Sequence, residues 1–357
     1  MPVTPQLSFH TQRQTRIAET WDCQMEPEGV GEGGGSCSVI LGRMDLQADS
    51  AEQYLAAMAP SVEMLIALAD AIRELAPSGV PHVDTQGFAE IIDDSKLTGD
   101  QLGHLGASTH SLAGLSLLAA SDHARAFARL HSHAPAPAFA HIALTRAALE
   151  ALVWARWLGE PGPKVTPAER RRRGLSARLY SVYEEAKLAE LKQDALGRAE
   201  RLEAVAAASG WTVTGKHRGD LFVGGKQLPS ISAEFNRLLT LTEIKGFGST
   251  LWSYLCGVAH GTLYGMLSGI YDSHADPLDP ETTIAVVGSD SRKVNSLVLL
   301  LVRGLRTVTA ERLSLMGWQS DAWDKAALLS HEWERQVVRA MYGIELPPGH
   351  RWGDHGR

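Results

Sequence analysis

From Asp49 onward, apolar residues recur at three- and four-residue steps through most of the chain, the spacing that lines one face of an α-helix. Asp49 or Ser50 suits the cap of a first helix, and Pro60 predicts a break or restart before a helix running to about Ala76. Residues 77–107, rich in Pro, Gly and Asp, read as a long connection. Helices are predicted over about 109–130 and 137–158. The first stops at His131-Ser132-His133, the second at Gly159, Pro161 and Pro163. Thr166-Pro167-Ala168-Glu169 has the form of a capping box with proline in the first turn. One helix is predicted from there to Ser209, because Leu175, Leu179, Val182, Ala186 and Ala189 make a continuous stripe. A stripe of that length asks for partner helices, and a homodimer or higher oligomer is expected. Residues 211–229 are turn-rich and suit a short hairpin, after which helices resume near 231–243, 249–271, 290–316 and 321–342.

Residues 1–48 differ. Strand-like text flanks the flexible GVGEGGGS, which predicts a small hairpin or arm ahead of a helical domain over 49–357. The fold class expected is all-α, a multi-helix bundle with a small N-terminal β or irregular region.

Composition alters this little. A net charge of −7 and a pI near 6.1 argue against a general DNA-binding surface. A local basic run does occur at Arg170, Arg171, Arg172 and Arg173. Cations in the first turns of a helix oppose its dipole, so helix stability leaves the run unexplained, and a phosphate, nucleotide or RNA contact is one reading of it. Three cysteines (Cys23, Cys37, Cys256) give no disulfide framework and suit a reducing cytoplasm. The first residues lack the apolar segment of a secretory signal. Gly246–Tyr271 contains no formal charge, but its serines, glycines and His260 favour a buried helix over a membrane span.

Within that segment Gly257, Gly261, Gly265 and Gly269 fall at four-residue steps along one helical ridge. Each costs about 1 kcal/mol against alanine, so a backbone or ligand is expected to approach there. Cys256, His260 and Tyr264 share the next ridge. On the helix predicted over 137–158, Arg146 and Glu150 stand one turn apart in apolar text, with Trp154 a turn further on. These residues predict a small-molecule pocket where the two helices meet. Arg146, Trp154, Gly257, Gly261 and Tyr264 would bind a polar or anionic ligand, and His260, Glu150 and Tyr254 would supply proton transfer or hydrogen bonds. A biosynthetic enzyme, an accessory enzyme and a ligand sensor all fit such a pocket. A structural dimerisation protein is the alternative if the ridge only packs. The histidines His104, His110, His123, His131, His133 and His141 lack the spacing of a metal site and read as a solvated, partly capping set. No metal is expected. No Walker loop, dinucleotide fingerprint or nucleophile elbow is present, so no cofactor is named.

The segments SDHARAFARLH, LTRAALEALVWARWL, RRRRGLSARLYSVYEEA and YLCGVAHGTLYGML together resemble a helical actinobacterial family. Its layout is similar to that of the HEPN-like proteins (higher-eukaryote and prokaryote nucleotide-binding). The resemblance covers roughly residues 115–270, with an Arg-x-x-x-Glu helix ending in Trp-Leu and a later Tyr254-to-His260-Gly261 helix. It implies a helical bundle, often dimeric, sometimes an RNase or nucleotide-handling module. The nuclease forms carry an arginine, four to six residues, then a histidine on a late helix. Only Arg125 to His131 fits that spacing here, and it lies early, so the nuclease chemistry does not carry over.

Overall fold

The computed structural model describes residues 7–10, 51–75, 81–82, 84–95, 105–133, 139–162, 165–242, 248–262, 270–276, 279–287 and 291–343. Helices dominate them: α1 (Ala51–Leu75), α2 (Gln86–Ser95), α3 (Leu105–Leu130), α4 (Ala140–Gly159), α5 (Pro167–Glu185), α6 (Lys192–Ala208), α7 (Ile231–Leu241), α8 (Gly248–Ala259), α9 (Ser291–Met316) and α10 (Asp321–Tyr342). The all-α expectation holds. α3 and α4 make the central pair. α1 and α9 lie over them, α10 packs on α1, and α7 and α8 flank α4. One apolar core joins Leu65 and Leu68 of α1, Phe127 of α3, Leu149 and Leu152 of α4, Phe235 of α7 and Leu301 of α9. A second joins Leu175 and Leu179 of α5 to Ala195 and Ala199 of α6 and to the hairpin residues Leu221 and Val223.

Pro60 does not break α1. It and Ala56, whose carbonyl loses a donor four residues later, are exposed, so water takes the place of the missing N–H. The connection predicted over 77–107 contains α2, whose Glu90 is buried.

The helix predicted to Ser209 folds back instead. α5 ends at Glu185, a short 3-10 turn follows at Ala189–Leu191, and α6 returns along α5. The Tyr183 hydroxyl donates to Glu203 at 2.6 Å, and Arg198 pairs with Glu185 across the same seam. Leu175, Leu179 and Val182 are thus covered within the chain. An apolar stripe needs a partner, and its own continuation can supply one, so this stripe no longer offers a face for the homodimer.

Two small antiparallel sheets complete the described residues. β2 (Val213–Thr214), β3 (Phe222–Val223) and β4 (Lys226–Gln227) form the expected hairpin region, with Val213 opposite Val223 and Val223 opposite Lys226. β1 (Leu7–His10), in the predicted arm, pairs with β6 (Asp279–Val287), and β6 with β5 (Ile270–Asp276), in the order β1-β6-β5. The strand pair after α8 was not anticipated: the helix predicted to residue 271 ends at Ala259. One described helix, Ala51–Leu75, is long and apolar enough to cross a membrane, and half of its apolar window is buried in the bundle.

Candidate functional site

The predicted meeting of α4 and α8 occurs, and it brings together some of the residues expected there and not others. Arg146 pairs with Glu150 at 3.3 Å, donates through Nε to Cys256 Sγ at 3.3 Å, and lies 5.4 Å from the centre of the Trp252 ring. Tyr254 and Gly257 are half-buried. Trp154 points elsewhere, stacked 6.4 Å from Tyr180 with Arg218 over both rings. His260 is exposed just beyond the last turn of α8, so it is neither a core histidine nor a base enclosed with Arg146. Gly261 follows with φ +63°, and Thr262 closes the helix end by donating its N–H to the Gly257 carbonyl at 2.9 Å. Gly261 is therefore a helix stop. Among the described residues a Cβ there would meet nothing within 4 Å, and none brings its backbone close. Tyr264, Gly265 and Gly269 lie outside the described residues.

The arginine run is a correction of a different kind. Arg170, Arg172 and Arg173 are buried. Arg170 Nη1 donates to the Leu158 and Glu160 carbonyls at 3.3 and 2.8 Å, and Arg173 Nη1 to the Trp157 carbonyl at 2.7 Å. These are the free carbonyls at the end of α4. The run opposes the dipole of its own helix while capping the negative end of its neighbour. Thr166 caps α5 by accepting from Glu169 N at 3.2 Å. The Glu169 carboxylate does not reach back to complete the box. It receives Arg172, Arg173 and Lys226, which hold it ionised down to about 2 against the opposing pull of burial. Gly174 is needed on this seam because a Cβ there would sit 1.9 Å from Thr109 Oγ1 on α3.

Of the histidines, His110, His131 and His141 are buried, contrary to the solvated set expected, and His104 lies outside the described residues. Among the described residues no group of His, Cys, Asp and Glu could hold a metal ion. His131 is hydrogen-bonded to the Tyr54 hydroxyl and packs on Phe127 and His141. Burial, with His141 beside it, pushes its pKa down to about 3.

His110 is at the centre of a cluster that sequence spacing did not assemble. Its Nε2 donates to Glu90 Oε2 at 3.2 Å, and that same oxygen receives Arg170 Nε at 2.6 Å. Gln86 donates to the other Glu90 oxygen at 3.0 Å. On the far side of the ring, Arg312 Nη1 donates to His110 Nδ1 at 3.0 Å and Nη2 to the His110 carbonyl at 2.8 Å. Burial holds His110 below its ordinary pKa, so it is neutral, with its proton on Nε2. Glu90 lies below the usual carboxylate range. Burial opposes this, but the hydrogen bonds from His110 and Arg170 and the charge of Arg170 prevail.

Two members of this cluster, His110 and Arg312, line a cavity of about 280 Å³ between α1, α3 and α9. Ile72, Leu75, Leu117, Leu118, Leu313 and Trp318 wall it, with exposed Leu115 and Ser111 at the mouth. Gly114 lines the α3 side, and a Cβ there would meet nothing within 4 Å. Behind the lining, two fully buried polar atoms, Thr309 Oγ1 and Arg312 Nε, have no hydrogen-bond partner among the described residues. The signal that could have found this site is Arg312, a cation within the otherwise Leu- and Val-rich α9.

Comparison with protein-family models, curated proteins and solved structures finds no match for this chain.

Proposed function

We propose that this chain is a cytoplasmic, small-molecule-binding helical protein whose ligand occupies the cavity between α1, α3 and α9. The observation that carries the reading is a cavity of about 280 Å³ with mostly apolar walls to which His110, Ser111 and Arg312 contribute polar side chains. A site with apolar walls and a few convergent polar groups is the usual form of a ligand pocket. A binding role is favoured over a catalytic one by His110, whose two ring nitrogens are both engaged, leaving none to exchange protons with a substrate.

A HEPN-like arrangement of α3, α4, α5 and α8 is proposed with it, supported by the four quoted segments and by consecutive packed helices in that span. RNA or nucleotide contact through Arg170–Arg173 is not, because three of those four side chains face inward. The test is ligand-observed NMR of a small-molecule fragment set against the wild type and Gly114→Leu, which fills the cavity from α3. Fragments should bind the wild type and be lost in a variant that melts at the same temperature or higher. Identical binding to both proteins would overturn the assignment.

A further inference from the structure

We infer that the cavity takes an uncharged, hydrocarbon-like molecule. This rests on the cavity being the ligand site and adds the chemistry of the occupant.

The polar side chains of the lining come first. His110 and Arg312 reach the wall but present almost nothing to it, being 2% and 5% exposed. Both ring nitrogens of His110 are engaged, Nε2 with Glu90 and Nδ1 with Arg312. Arg312 turns Nη1 and Nη2 toward the His110 ring and carbonyl, and its Nε is buried behind the lining. The guanidinium also lies over the Trp318 ring, 5.4 Å from its centre. Ser111, at the mouth, donates its proton to the Ala107 carbonyl at 3.0 Å.

A charged ligand is disfavoured at either sign. An ammonium would meet Arg312, which stays charged at neutral pH although burial and Arg170 draw its pKa down to about 10. A carboxylate would be attracted by that charge but would reach none of its N–H donors. It would lose its hydration and gain no hydrogen bond, and that loss outweighs an attraction of charge alone. Water fits the space little better. At about 30 Å³ for each molecule in the liquid, the cavity equals roughly nine waters, or a ligand of about ten non-hydrogen atoms. The side chains of Ile72, Leu75, Leu117 and Leu313 offer those waters only carbon. Replacing loosely held water by an apolar body is favourable. The apolar wall also continues outward: Leu118 and Leu115 carry it along α3 to the mouth, where Leu115 is 62% exposed and gives a hydrocarbon a path of entry.

The probe is 4-ethyltoluene, titrated calorimetrically into the full chain beside 4-methylbenzoate and 4-methylbenzylammonium. The three share a toluene body and nearly the same size, and differ in the charge of one substituent. 4-Ethyltoluene should bind one to one, and each ion at least about tenfold more weakly. Gly114→Leu, whose side chain enters the same space, should abolish 4-ethyltoluene binding. The wild-type series decides the charge class even if that variant does not fold. Either ion binding as tightly as 4-ethyltoluene would overturn the uncharged class while the cavity remains the ligand site. Equal 4-ethyltoluene binding to a folded Gly114→Leu would place the hydrocarbon elsewhere and overturn the inference. So would silence of all three compounds while NMR fragments bind and are lost in Gly114→Leu. Silence of the three compounds and the fragments alike would take the proposed function with it.

Discussion

Two buried clusters in this bundle share a stoichiometry of two arginines to one glutamate and differ in how they are finished. Between α9 and α10, Glu334 gives one oxygen to Arg303 Nε and the other to Arg306 Nη2, each at 2.6 Å. The spare nitrogens are also used: Arg303 Nη1 donates to the Thr242 carbonyl at 3.2 Å and Arg306 Nη1 to Ser330 at 3.3 Å. Around Glu90, by contrast, Arg312 never reaches the carboxylate, and Arg312 Nε and Arg170 Nη2 have no partner. Only this second cluster borders the cavity. A surplus of buried cations is therefore not itself the mark of a site. What separates the two is that the donors of the second are left unfinished and that its His110 and Arg312 line the cavity.

The closed cluster should be the more damaging to break. Glu334→Gln leaves Arg303 and Arg306 facing an uncharged amide whose NH₂ opposes one of them. Stripping a buried pair of its partner costs about 3–5 kcal/mol, and Glu334 is only 1% exposed. Urea unfolding should show a loss of that size. A loss below about 1 kcal/mol would mean that water enters the α9–α10 seam and that the two clusters do not differ as described.

Acid separates them next, because only the open cluster contains a histidine. His110 is held below its ordinary pKa, chiefly by burial. Between pH 6.5 and its folded pKa, the unfolded chain binds a proton there and the folded chain does not. That share of stability is complete above pH 6.5 and falls as the pH drops, by at most about 1.4 kcal/mol for each pH unit. His131, pushed down to about 3, adds a loss of the same sign. His110→Gln should therefore flatten the fall between pH 6.5 and 5 without abolishing it. Stability curves of wild type and variant that run parallel over that range would show that His110 is protonated in the folded protein.

What was legible in the sequence was local. Periodicity found most of the helices, though it missed α2 and ran α5 and α6 together, Thr166 announced the start of α5, and Arg146 with Glu150 formed the ion pair their spacing allows. The failures share one cause, that a side chain's partner is set by another element. Arg170–Arg173 reads as a basic surface until α4 is seen to end against it. The stripe through Leu175 and Leu179 asks for a partner without saying that α6 supplies it. The glycines from 257 to 269 keep a helical period past the point where Gly261 adopts a left-handed backbone and stops the helix. His110, Glu90 and Arg312, from three separate helices, have no spacing to read at all.

The smallest effect tests the open cluster at its least engaged atom. Thr309 lies in α9, fully buried, and its hydroxyl has no partner among the described residues. Removing one member of a satisfied hydrogen bond costs about 1–3 kcal/mol, because the other is stranded. Thr309→Val strands nothing: it replaces the hydroxyl by a methyl of similar size and keeps the β-branched shape. Without ligand, its stability should stay within about 0.5 kcal/mol of the wild type, or rise, as for a substitution that breaks no contact. Ser330→Ala, in the closed cluster, removes an acceptor used by Arg306 and should cost more. The comparison needs chemical denaturation of both variants beside the wild type at pH 7. If Thr309→Val proves as costly as Ser330→Ala, the Thr309 hydroxyl has a partner in the folded protein and the floor of the cavity is closed like its counterpart.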